Sequence, residues 1–180
     1  MSCNQFSYCP DTALAPSTGN CGYKPTGYAP SGKKDVALNA SSGSVGPLPI
    51  INTLFAEPIN VVSTTIDTRC IGPTNNLLHF SSIVNLPVGI SVTLNFQIRR
   101  SVDDGASIGV GSTYTFSTTV TVLEGESFSF QFFDQDVQPG FYTYSVQLST
   151  NSLIDVTPGL SINNAVLSVL AVSNRSDCCK

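Results

Sequence analysis

From about residue 59 onward the chain is a succession of short runs in which apolar and polar side chains alternate. Val92, Leu94, Phe96 and Ile98 share one parity, and Thr93, Asn95 and Gln97 share the other. Tyr114, Phe116, Val120 and Val122 stand in the same relation to Thr115, Ser117, Thr119 and Thr121, as do Phe128, Phe130 and Phe132 to Ser129 and Gln131. A period of two places the sets on opposite faces of a β-strand, so each run predicts one core face and one polar, uncharged face. Such runs are expected at about Ile59–Thr68, Leu77–Val84, Ile90–Arg100, Thr113–Leu123, Ser127–Phe133, Tyr142–Ser149, Leu153–Val156 and Ala165–Ser173, with Gly-, Pro-, Asn- and Asp-rich turns between them. No helical repeat intervenes. Eight strands over roughly 120 residues without a helix predict an all-β fold, an eight-stranded jelly-roll-like β-sandwich. Its three phenylalanines make Ser127–Phe133 an expected central contributor to the core.

The last run breaks the alternation. Ala165, Leu167, Val169 and Ala171 are apolar, and Val166, Leu170 and Val172 on the other parity are apolar too, interrupted by Ser168. A strand apolar on both faces needs cover on both sides, from the head, a loop or a neighbouring subunit. Residues 1–49, with Pro10, Pro16, Pro25, Pro30, Pro47 and Pro49 among many glycines and serines, read as a flexible arm. Ile50, Ile51, Leu54 and Phe55 form an apolar docking segment at its end, and join Val166, Leu170 and Val172 as expected interface residues. The expected division is therefore arm 1–49, sandwich 50–174 and cysteine tail 175–180.

Charged residues make up 11% of the 180-residue chain, and the net charge is -4, against roughly 25% charged residues in ordinary globular proteins. Electrostatics thus opposes self-association only weakly. The eight Lys and Arg are scattered, with no basic stripe to follow a phosphate backbone, so nucleic acid is not an expected partner. The N-terminus lacks the basic and apolar regions of a secretory signal, and no apolar run reaches the length of a membrane span, so neither classical secretion nor membrane insertion is expected.

The six cysteines sit mostly outside the sandwich: Cys3, Cys9 and Cys21 in the arm, Cys178 and Cys179 in the tail, and Cys70 alone within. Any disulfide network must involve a terminal segment, and such segments reach neighbours as readily as their own domain. All six are therefore candidates for intersubunit disulfides. Adjacent Cys178 and Cys179 bond outward more readily than to each other, and the arm spacings match no zinc knuckle.

Catalytic chemistry finds little support. His79 is the only histidine, and its parity with Leu77 and Ser81 fits a structural strand residue. A Cys70/His79/Asp67 triad has no accompanying oxyanion motif. Glu124, Glu126, Asp134 and Asp136 are the best carboxylate cluster, a calcium candidate if two turns at one end of the sandwich brought them together. The expectation is no enzyme, no cofactor and no resident metal.

The strand ending Asp67-Thr68-Arg69-Cys70, the segments "VTLNFQIRR", "TYTFSTTVTV", "SFSFQFFDQD" and "FYTYSV", and the closing "INNAVLSVLA" resemble a family of short cysteine-bearing proteins of undefined function from clostridial spore formers. Members of that family often carry cysteines around the acidic turn. Here "FFDQDVQPGFYTY" has none, which leaves Cys70 only terminal partners. The architecture is also similar, more distantly, to the β-sandwich subunits of bacterial endospore appendages. These resemblances imply a structural subunit that self-assembles into a disulfide-crosslinked extracellular fibre or spore-surface layer. Its partners would be its own copies and a spore-coat anchoring protein. The alternative is a non-enzymatic surface binding module, carbohydrate-binding or adhesin-like, using loops or a polar sheet face.

Overall fold

Alternation becomes architecture in the computed structural model, which describes residues 35–48, 57–88, 91–119, 124–150 and 159–174. Eight strands follow in chain order: β1 (Val36–Val45), β2 (Ile59–Asp67), β3 (Thr74–Leu86), β4 (Ser91–Val102), β5 (Ile108–Thr119), β6 (Glu124–Val137), β7 (Phe141–Ser149) and β8 (Ser161–Ser173). They form two antiparallel four-stranded sheets, ordered β1-β8-β3-β6 (sheet A) and β2-β7-β4-β5 (sheet B). First pairs with last, second with seventh, third with sixth and fourth with fifth, so the chain is one long hairpin rolled across two sheets. That is the jelly-roll form of the β-sandwich.

The core is the set of apolar parities that sequence alternation selects. Leu78, Phe80 and Val84 of β3 and Leu167 and Val169 of β8 face Leu94, Phe96 and Ile98 of β4 and Val146 and Leu148 of β7, all fully buried. The Phe80 and Phe96 rings meet between the sheets at 5.7 Å. Phe128, Phe130 and Phe132 point inward and pack against the core as expected; because β6 is an edge strand of sheet A, their rings are partly buried. They close the side of the sandwich against β5. Tyr114 stacks on Phe130 at 3.9 Å, Phe116 meets Phe128 edge-on, and Gly111 leaves room for the Phe132 ring.

Two expectations are corrected. Val36–Val45 belongs to the sandwich and not to the arm, because β1 takes its hydrogen bonds from β8. As an edge strand rich in Ser, Ala, Asn and Gly it buries little, so no apolar alternation marks it. The domain thus begins near residue 36. Strand β5 starts at Ile108, earlier than the expected Thr113, since a bulge between the Gln97–Thr113 and Ile98–Val110 pairs interrupts the period. The expected strand Leu153–Val156, the docking segment Ile50, Ile51, Leu54 and Phe55, and Val120 to Leu123 lie outside the described residues.

Candidate functional site

One end of the sandwich gathers the β2–β3, β4–β5 and β6–β7 connections, the entry into β1 and the exit from β8. We refer to it as the cysteine pole. Ser173 N donates to Asp35 O at 2.7 Å, and Asn174 N donates to Pro73 O at 2.8 Å, so the entry into β1 and the exit from β8 are pinned beside the β2–β3 turn. Within that turn Thr68 is buried and exchanges hydrogen bonds with Gly140, its Oγ1 donating to Gly140 O and accepting from Gly140 N, both at 3.1 Å. The turn therefore presents Cys70 from a fixed base. Cys70 is exposed and disulfide-bonded. Cys3, Cys9, Cys21, Cys178 and Cys179 lie outside the described residues.

The triad written from sequence does not assemble. Asp67 holds Arg69 through paired contacts of 2.9 and 2.6 Å, and His79 lies mid-strand on β3, well away from the Cys70 turn. The four carboxylates do not converge either. Expected to lie in two turns at one end, they are all part of β6: Glu124 and Glu126 at one pole, Asp134 and Asp136 at the other. From Glu126 to Asp134 the strand runs roughly 26 Å at about 3.3 Å per residue. Glu126 accepts from Thr118, and Asp136 accepts from Asn174. Among the described residues no group of three or more His, Cys, Asp or Glu is placed to hold a metal ion.

Asp134 has a different role, which sequence reading missed. Its Oδ2 accepts from Arg100 Nη1 at 2.7 Å and from the Tyr144 hydroxyl at 2.8 Å, while Asn76 Nδ2 donates to the same hydroxyl at 2.9 Å. Four strands from both sheets meet in this cluster, and Arg100 also lies over the Tyr142 ring at 5.9 Å. Burial pushes the Tyr144 phenol well above its ordinary range; the Asn76 hydrogen bond opposes it, and the charge of Asp134 adds to it. For Arg100 burial works downward, but the hydrogen bond and charge of Asp134 raise it overall. These contacts join strands of both sheets, so the cluster is an inter-sheet clamp, although Asn76 Oδ1 is left without a partner among the described residues.

The outer face of sheet A is where the chain departs from an ordinary sandwich. Register places Leu38 beside Leu170, Leu170 beside Leu77 and Leu77 beside Phe133, one apolar row across all four strands. Leu38 is 69% exposed, Phe133 49% and Leu77 37%, with Leu170 half-buried among them. Val36 and Val172 pair alongside, nearer the cysteine pole, while Val166 and Ile83 extend the surface the other way. The next row is Ala40, Ser168, His79 and Gln131. Of the expected interface, Val166, Leu170 and Val172 all lie on this face. Leu38, Leu77 and Phe133 were not legible, because a row forms only when distant strands pair.

Sheet B presents the opposite chemistry. Thr93 shares a hydrogen bond with Ser117 at 3.1 Å, Thr115 donates to Asn95 at 3.0 Å, and Gln97 pairs with Gln147. Amides and hydroxyls dominate this outer face.

The family model described as "Domain of unknown function (DUF4489)" matches residues 36–172. A comparison with curated proteins finds no match. Among solved structures, the chain is similar to that of the infectious bursal disease virus Gx strain at 13% identity and a TM-score of 0.48, covering 88% of this chain and 38% of that one. The VP2 subviral particle of the same virus is similar at 10% identity and a TM-score of 0.45, covering 87% and 38%. The CBM22-1 xylan-binding domain of Paenibacillus barcinonensis Xyn10C is similar at 16% identity and a TM-score of 0.33, covering 68% and 86%. The chain spans less than half the length of the viral chains it matches. Likeness at these levels carries no functional argument.

Proposed function

The chain belongs to the family described as Domain of unknown function (DUF4489), and from its own geometry we propose that it is a non-enzymatic structural subunit. In this reading it assembles with copies of itself into a disulfide-crosslinked extracellular fibre or spore-surface layer, anchored by a spore-coat protein. The observation that carries the reading is the convergence at one pole: Asp35, Asn174 and the Cys70 turn are joined there by backbone hydrogen bonds. The arm with Cys3, Cys9 and Cys21 and the tail with Cys178 and Cys179 continue from those two pinned residues. With five further cysteines in the terminal segments, the chain carries enough thiols to link to more than one neighbour. Each link joins two thiols as a disulfide, with two protons and two electrons passing to an oxidant such as dioxygen outside the cell.

Non-reducing electrophoresis of native material tests the covalent part. A ladder of multimers that collapses to one band with reductant is expected. A single monomer band in both lanes would overturn it, and negative-stain images of the same material should show filaments or sheets.

A second reading is favoured by sheet B, whose amide- and hydroxyl-rich face suits a neutral, hydroxylated polymer such as a polysaccharide. Thr115→Lys and Gln147→Lys would then abolish sedimentation with insoluble glycan while leaving the gel ladder intact. Absence of glycan binding by the unaltered chain removes this reading.

A further inference from the structure

Resting on the assembly reading but separable from it, the geometry points to the outer face of sheet A as the non-covalent contact between two copies of this chain, paired back to back. Three observations select that occupant. The first is chemical. The cross-strand row of Leu38, Leu170, Leu77 and Phe133 is flanked by Val36, Val172, Val166 and Ile83, and the paired positions around it are Ala, Ser, Asn, Gln and His79. The row itself and the Ala40–Gln131 row beside it carry no Asp, Glu, Lys or Arg, and Asp136 stands only at the border, beside Asn75 and held by Asn174, so a second copy meets the centre of the face without like-charge repulsion, and apolar surface matches apolar surface.

The second is size. Four strands spaced about 4.8 Å, over about ten residues of about 3.3 Å each, make a face of about 600 Å². Two copies would remove about 1,200 Å² from water, the lower edge of stable specific interfaces. The third is the poverty of the chain's own ends. Residues 1–34 hold Met1, Phe6 and Leu14 and the three tyrosines Tyr8, Tyr23 and Tyr28, whose hydroxyls favour water, and 175–180 hold no large apolar side chain, fewer than the eight-residue apolar surface presents. The apolar segment 49–56 follows Leu48, whose amide bonds Leu160 O at the far pole, and it must return to β2 at Ile59.

The contact is isologous, centred on the two middle strands β8 and β3, because each copy contributes the same row. It brings two cysteine poles into one particle and so raises the local concentration of the thiols that the assembly reading links.

The test uses the full chain under reductant, so that disulfides contribute nothing. Sedimentation equilibrium of the unaltered protein should give a dimer. Leu38→Lys and Phe133→Lys, at well-exposed sites where folding survives, should each weaken it about tenfold or more, whereas Gln147→Lys on sheet B should leave it unchanged. Unfolding curves matching those of the parent protein confirm that each variant is folded. A monomer at all concentrations overturns the inference, as does a dimer indifferent to both sheet A variants. If the non-reducing ladder persists in either case, the assembly reading stands without this face. A reductant-resistant dimer without a ladder would have the opposite meaning.

Discussion

Tyr144 shows how a single side chain can tie the two sheets. Its ring fills the core and its hydroxyl donates to Asp134 while accepting from Asn76, so one residue of β7 engages β6 and β3 together. Asn76 Oδ1 is buried without a hydrogen-bond partner among the described residues, which makes the remaining Asn76 contact harder to forgo. Tyr144→Phe removes both hydroxyl contacts and should cost about 1–3 kcal/mol in urea unfolding at neutral pH. The pH dependence has a definite sign. Because burial raises the folded phenol, its contribution is fully present below the unfolded tyrosine range near pH 10 and is lost as pH climbs toward the folded value. Stability should be flat to about pH 10 and fall above it, and the fall should be shallower in Tyr144→Phe. Tyr114 and Tyr142, also raised by burial, retain part of the slope. An unchanged alkaline slope in the variant would show that Tyr144 is not its source. The partners of Tyr144 are set by the fold: Asp134 lies on the preceding strand β6 and Asn76 on β3, and neither contact is visible in the alternation of β7.

At the scale of elements, β1 is the informative strand. Its outer positions carry Val36 and Leu38 into the apolar row, and its other end crosses β2 so closely that only glycine fits. A Cβ at Gly43 would lie 2.3 Å from Val61 O and 3.1 Å from Val62 Cβ. Backbone cannot rotate away as a side chain can, so Gly43→Ala should lift β1 from β2 and cost about 1–3 kcal/mol. Neighbouring Ser42, exposed to solvent, should tolerate alanine within about 0.5 kcal/mol. Urea unfolding of both variants checks the pair, and equal effects would refute the crossing argument. Asn39 Nδ2, which donates to Thr65 O at 2.6 Å, marks the same approach between strands. None of this was legible in "VALNASSGSV", which lacks the bulky alternation of β4 or β6 because an edge strand needs pairing more than burial.

The whole molecule is a sandwich with unlike outer faces, one apolar and one rich in amides and hydroxyls, carrying a net charge of only -4. Association through sheet A should therefore respond to salt type more than to ionic strength. Ammonium sulfate, which strengthens apolar burial, should raise the dimer fraction under reductant, while sodium chloride at equal ionic strength changes it little. Light scattering follows both titrations. Equal promotion by the two salts would indicate screened charge repulsion and count against an apolar contact. The cysteine pole belongs to this scale too, since Asp35, the Cys70 turn and Asn174 are distant in sequence and meet only because β1, β8 and β3 pair.

The alternation of side chains was enough to specify an all-β sandwich, its core parity and the two-faced last strand, because a period of two is a local property that burial reads directly. The same residues could not disclose β1, the Asp134–Tyr144 clamp or the row from Leu38 to Phe133. Each of these depends on which strands become neighbours and in what register, and pairing between segments as far apart as Val36 and Val172 is decided by the packed sheets together.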